Sequence, residues 1–87
     1  MKAIMYHYVR EHDAKLPYFR FLHKDDFERQ LDHFEETEGF VGREDFDQFI
    51  AGGPIPTGVV LTFDDGLRDH YDYVFPALAR RGLWGIF

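Results

Sequence analysis

Apolar and polar positions along this chain follow two periods, and their order outlines an architecture. Residues 3–9, Ala-Ile-Met-Tyr-His-Tyr-Val, are almost wholly apolar or aromatic and predict a buried strand with His7 near its C-terminal end. Residues 10–23 carry charge, Pro17 and three aromatics (Tyr18, Phe19, Phe21) without a period, and predict a loop. A loop of that length in a small domain is commonly functional. Phe27, Leu31 and Phe34 then recur at i, i+4 and i+7 among Asp, Glu, Arg and Gln, which predicts an amphipathic helix over 24–36. Asp25 or Asp26 is expected to cap its first amides, and Gly39 to end it. Residues 40–42 suit a very short strand. Residues 43–50 suit a second helix, with Phe46, Phe49 and Ile50 on one side, before Gly52, Gly53, Pro54 and Pro56 break the chain.

Residues 59–63, Val-Val-Leu-Thr-Phe, are apolar at nearly every position, the pattern of a strand covered on both faces, as in a parallel sheet. A helix is predicted over 67–81, with Val74, Phe75 and Leu78 inward, Arg80 and Arg81 at its C-terminal end and Gly82 just past it. Pro76 is expected to kink that helix or to lie near its first turns. Residues 83–87, Leu-Trp-Gly-Ile-Phe, read as a third strand that the sequence leaves in mid-run. Strand, helices, strand, helix, strand is the order of an α/β fold with parallel strands and crossover helices.

Composition narrows the possibilities. Eighty-seven residues suffice for one small domain. Leu, Ile, Val and Phe make up about 30% of them, well above the roughly 20% below which chains tend to stay disordered. The absence of Cys removes disulfides, thiolate metal sites and Cys nucleophiles. A net charge of −6 argues against nucleic acid and against acidic membrane surfaces as partners. No apolar run reaches signal-peptide or membrane-span length, so the expectation is a soluble cytoplasmic protein with no membrane span.

The chemistry concentrates in Thr62-Phe63-Asp64-Asp65-Gly66. Two adjacent carboxylates follow a buried strand, where α/β folds place their active sites. Two anions that close cannot both stay charged cheaply. A bound cation resolves the conflict, with one Asp as ligand and the other as base. The same dipeptide also suits plain capping of the following helix, with Gly66 making the turn.

Residues 59–87 resemble the polysaccharide deacetylase family, also called the NodB-homology or carbohydrate esterase family 4 enzymes. The features shared are Thr62-Phe63-Asp64-Asp65-Gly66, then Tyr71, then Pro76-Ala77-Leu78, then Gly82 before an apolar strand. The opening Met5-Tyr6-His7-Tyr8-Val9 also looks like the Tyr-His-x-Val strand of one bacterial branch, whereas residues 10–58 match only in pattern. The resemblance implies an incomplete TIM-like (β/α) barrel, of which residues 1–87 would be the N-terminal portion, cut in its third strand. It implies a metal-dependent hydrolase, most often with Zn2+, that removes acetyl groups from N-acetylated sugars or polysaccharide. Residue by residue, Asp64 matches the catalytic base and Asp65 the metal-ligating Asp. The family's other two ligands are His residues of a His-Ser/Thr-x-x-His motif, and the five His here, at 7, 12, 23, 33 and 70, lack that spacing. The chain alone is therefore expected to be inactive, supplying one of three ligands.

Other residues carry weaker signals. His7, at a strand end, and His70, one turn into the helix after the motif, are candidates for contacting substrate or supporting the site; each also suits a purely structural place. Tyr18, Phe19 and Phe21 are candidates for stacking on sugar rings. The Phe set at 27, 34, 46 and 49 reads as core, His23 and His33 as surface, and Glu35, Glu36 and Glu38 as a solvated face. Two other functions compete: a Mg2+-dependent phosphotransferase, disfavoured because its two Asp are separated by one residue, and a degenerate barrel that binds glycan or protein without chemistry. Apolar strand edges make self-association an expectation as well.

Overall fold

In the computed structural model, residues 1–11, 15, 22–64, 68 and 70–87 are described. The run Val59–Phe63 is a strand buried at four of its five positions, and the rest of the fold is arranged around it. The chain-order elements are β1 (Lys2–Tyr6), β2 (Val9–Arg10), β3 (Leu22–His23), α1 (Lys24–Thr37), α2 (Arg43–Ile50), β4 (Val59–Phe63), a π-helical turn (His70–Val74) and α3 (Phe75–Arg81). β1 and β4 pair in parallel, from Lys2 opposite Val59 to Tyr6 opposite Phe63, so their C-terminal ends fall side by side. The other edge of β4 is used twice. At its start Val59 exchanges backbone hydrogen bonds with Gly39 and Val41; at its end Leu61 and Phe63 bond Ile86. The fold is therefore α/β with parallel strands, as expected, and it is consistent with part of a β/α fold.

β1 departs from the expected buried strand over 3–9. It ends at Tyr6, only Tyr6 is buried, and Met5 is 61% exposed. The cause is its position: among the described residues it pairs only with β4, so one edge and most of one face meet solvent. The chain breaks at His7 and Tyr8 and resumes as β2, which pairs in parallel with β3. The expected loop over 10–23 is thus anchored at both ends by two-residue strands. Tyr18, Phe19 and Phe21 lie outside the described residues.

α1 buries Phe27 and Leu31, the two apolar positions one turn apart. Its cap is not Asp25 or Asp26: His23 occupies the N-cap, and its Nδ1 accepts from the Asp25 amide at 3.1 Å. The two Asp sit in the first turn, where their charge suits the positive end of the helix dipole. Gly39, at φ 70°, turns the chain out of the helix, its amide bonding the Phe34 carbonyl at 2.7 Å. The short strand expected at 40–42 is a single bridge, Phe40 to Val59. α2 covers the expected span, with Phe46 and Phe49 half-buried and Ile50 exposed. Phe46 packs against Trp84, whose indole N–H donates to the Val41 carbonyl at 2.8 Å.

The expected helix over 67–81 divides in two. Pro76 stands in the first turn of α3, as the second of the two expectations had it. It has no amide to donate to the Asp72 carbonyl and its ring crowds that group, so the preceding turn opens to π spacing. α3 closes with Gly82 at φ 66°, its amide directed to Ala79. The strand expected at 83–87 is one bridge, Thr62 to Ile86. The core joins Tyr6, Val9, Phe27, Leu31, Val59, Leu61, Phe63, Val74, Ala77 and Leu78. Each large apolar side chain there contributes about 1.5–3 kcal/mol by leaving water.

Candidate functional site

The pairing register decides where the chemistry lies. Because Tyr6 faces Phe63, the next residue of each strand, His7 and Asp64, emerges at the same end of the sheet. The ladder continues one step past β4: the Asp64 amide donates to the Tyr6 carbonyl at 3.0 Å. Asp64 is therefore held by backbone on a strand end, with its side chain partly open to solvent. A carboxylate so placed can accept a proton from a bound molecule without the residue itself moving. Thr62, two residues earlier, ties its hydroxyl to the Ile4 carbonyl at 3.2 Å and so pins the two strands together behind the motif.

Beneath that end lies an aromatic floor. The Phe63 ring stacks on Tyr6 at 5.4 Å and on Phe87 at 4.9 Å, and meets Phe27 edge-on at 6.1 Å. Tyr6 is buried, its hydroxyl donates to Gln30 Oε1 at 2.8 Å, and burial pushes its phenol up to about 12. These packed rings leave the strand end little freedom, which suits a carboxylate that must hold one position. The apolar pattern puts Tyr6 and Phe63 in strands, but their mutual stacking and that of Phe87 carry no signal in the sequence, because they depend on register.

The sequence candidates fall as follows. Asp64 and His7 share the strand-end rim, and His7 is exposed. Asp65 and Gly66 lie outside the described residues. His70 is not on an open helix surface: it is 2% exposed, its ring edge-on to Phe63 at 5.3 Å and to Phe87 at 5.7 Å. Its Nε2 lies 2.9 Å from the His7 carbonyl. The structure thus gathers His7, Asp64 and His70 at one end of the sheet. Tyr71, part of the motif spacing, is exposed away from the core. An open groove of about 460 Å3 runs along β1 beside His7, lined also by Tyr6, Tyr8, Leu22 and Gln30.

Among the described residues no group of three His, Cys, Asp or Glu is placed to hold a metal ion. These residues do not by themselves fit a catalytic zinc, which takes three protein ligands and one open position. No helix of the described residues is long and apolar enough to cross a membrane.

No protein-family model and no curated protein matches the chain. Among solved structures it is similar to IcaB from Ammonifex degensii, with a TM-score of 0.74 and 26% sequence identity. The alignment covers 97% of this chain and 35% of IcaB, so these residues span about a third of that protein's length. The likeness supports a β/α fold for this chain.

Proposed function

We propose that these residues form part of a hydrolase that removes acetyl groups from N-acetylated sugars or polysaccharide. The observation that carries the reading is Asp64 at the C-terminal end of the buried strand β4, beside the end of β1 and followed in sequence by Asp65, in a chain that carries the family's motif and aligns along nearly all its length with IcaB. We assign Asp64 as the general base and Asp65 as this chain's one ligand to a divalent metal, zinc by the family resemblance. We place the metal's other ligands outside the described residues, among which no group of three is set to hold an ion. Such an ion would polarise an acetyl carbonyl and acidify water.

The chain's own part is proton handling and placement. Asp64, fixed by its amide on Tyr6, takes the proton of the attacking water through its carboxylate. The exposed His7 and the groove beside it give the sugar a rim to rest on. The net charge of −6 suits a neutral carbohydrate substrate better than a polyanion.

The test is acetate release from N-acetylglucosamine oligomers by the intact protein carrying these residues. Release that is abolished by a chelator, restored by zinc and lost in Asp64→Asn supports the reading. Saturable binding of the same oligomers with no acetate released would favour the barrel that binds glycan without chemistry.

A further inference from the structure

His70 sits at the junction of three features that the proposed chemistry leaves unused. It opens the π-helical turn, a rare geometry that recurs at functional sites. It is buried against Phe63 and Phe87, the rings that floor the strand end. Its Nε2 lies 2.9 Å from the carbonyl of His7, sixty-three residues away in sequence.

The hydrogen-bond chemistry is determinate. A carbonyl oxygen can only accept, so Nε2 carries the hydrogen. In the neutral ring Nδ1 is then a bare lone pair, and it has no hydrogen-bond partner among the described residues. A buried ring nitrogen left unsatisfied costs stability. A hydrocarbon or aromatic side chain would fill the same space without that cost, so packing alone does not explain a histidine here. What the histidine supplies is one donor, aimed at the carbonyl of the residue that follows β1.

We infer that His70 is a positioning residue: its Nε2–H clamps the end of β1 to the turn that follows the Asp-Asp motif, and so fixes Asp64 relative to the His7 rim. The inference rests on the functional reading above. The clamp closes a ring of contacts. His70 holds His7; Tyr6, the residue before His7, accepts from the Asp64 amide; and Asp64 leads through the motif back to His70. π spacing makes this possible, because tightening the turn to α geometry would rotate His70 relative to α3 and carry Nε2 away from the carbonyl. Loss of the donor frees the β1 end, and a carboxylate displaced by about 1 Å loses up to a hundredfold in rate.

Two substitutions separate clamp from packing. His70→Phe keeps the aromatic bulk against Phe63 and Phe87 and removes the donor. His70→Gln keeps a donor at the Nε position. In the intact protein, nitrogen-15 spectra of the ring are expected to show a protonated Nε2 and an unprotonated Nδ1. In His70→Phe the Asp64 amide is expected to exchange with solvent on the order of tenfold faster, with Leu61 unchanged. The same variant is expected to lose roughly tenfold to a hundredfold in kcat for acetate release at unchanged KM, and His70→Gln to recover most of it. A proton on Nδ1 alone, or equal Asp64 exchange in wild type and His70→Phe, would overturn the clamp. If His70→Phe does not fold, the ring tautomer and the exchange rate in His70→Gln decide. If the wild type releases no acetate, the functional reading fails, while the tautomer and exchange measurements still judge the clamp.

Discussion

At the scale of single residues, Tyr6 joins stability to the site. It is the one residue of β1 that is fully inside, and it floors the strand end on which Asp64 sits. Its phenol is raised from 10.0 to about 12 because burial disfavours the phenolate. The neutral form is therefore the one the fold favours. The associated stability is fully present below pH 10, the unfolded value, and is lost as pH rises through about 12. Two pH units correspond to about 2–3 kcal/mol. Urea titrations of the intact protein between pH 9 and pH 12 should show this loss, and Tyr6→Phe should flatten it while giving up about 1 kcal/mol at neutral pH for the missing bond to Gln30. An equally steep fall in Tyr6→Phe would assign the alkaline sensitivity to another group.

At the scale of elements, α3 is tied to α1 by Arg81. Its guanidinium bonds Glu28 Oε2 and Asp32 Oδ1, each at 2.7 Å, and also reaches the Glu28 carbonyl. The hydrogen bonds to Glu28, then to Asp32, hold its pKa above the ordinary arginine value. The arginine is mostly covered, and its acidic partners are more exposed. Arg81→Met, which keeps the stem and removes the fork, should cost about 1–2 kcal/mol, less than a fully buried pair would. Denaturant unfolding at low and high salt checks this, the difference shrinking as salt rises. Long periodic elements of this kind were legible in the sequence: α1, α2 and β4 lie where their apolar positions put them. Elements that depend on pairing were not. The strands β2 and β3 are two residues each, too short for any period, and exist through each other. His23 as the cap of α1 and His70 as a buried ring are likewise invisible to a local reading. One accepts from an amide two residues on, and the other is turned inward by a π turn that Pro76 imposes from six residues away.

At the scale of the molecule, the described residues bury one core and leave apolar surface outside it. Met5, Phe75, Ile86 and Phe87 are exposed, and among the described residues β1 pairs with a strand on one edge alone. Phe75 and Phe87 stack on each other at 4.6 Å, forming one exposed aromatic patch. Exposed strand edges and contiguous apolar patches are association sites. Residues 1–87 made alone should therefore associate at micromolar concentration, and sedimentation should show species above the 10.3 kDa monomer. A monodisperse monomer with a cooperative transition worth several kcal/mol would contradict that. The same residues alone should release no acetate, because one carboxylate cannot hold a catalytic metal. Of the candidate site, the place of Asp64 at the end of a buried strand was legible from the apolar run before it. That β1 and β4 end together, and so bring His7 beside Asp64, was not, because register is a property of the sheet.

The central claim is the division of labour between the two adjacent aspartates, and metal content measured alongside rate tests it most directly. In the intact protein, purified wild type, Asp64→Asn and Asp65→Asn are compared for bound zinc and for acetate release from N-acetylglucosamine oligomers. Asp64→Asn is expected to keep near-normal metal and to lose roughly 10²–10⁴-fold in rate, the loss typical of a missing general base. Asp65→Asn is expected to lose both metal and rate. Normal metal and normal rate in both variants would reduce the pair to a helix cap and contradict the account; the reverse pattern, with metal lost in Asp64→Asn and kept in Asp65→Asn, would show that the two roles are exchanged.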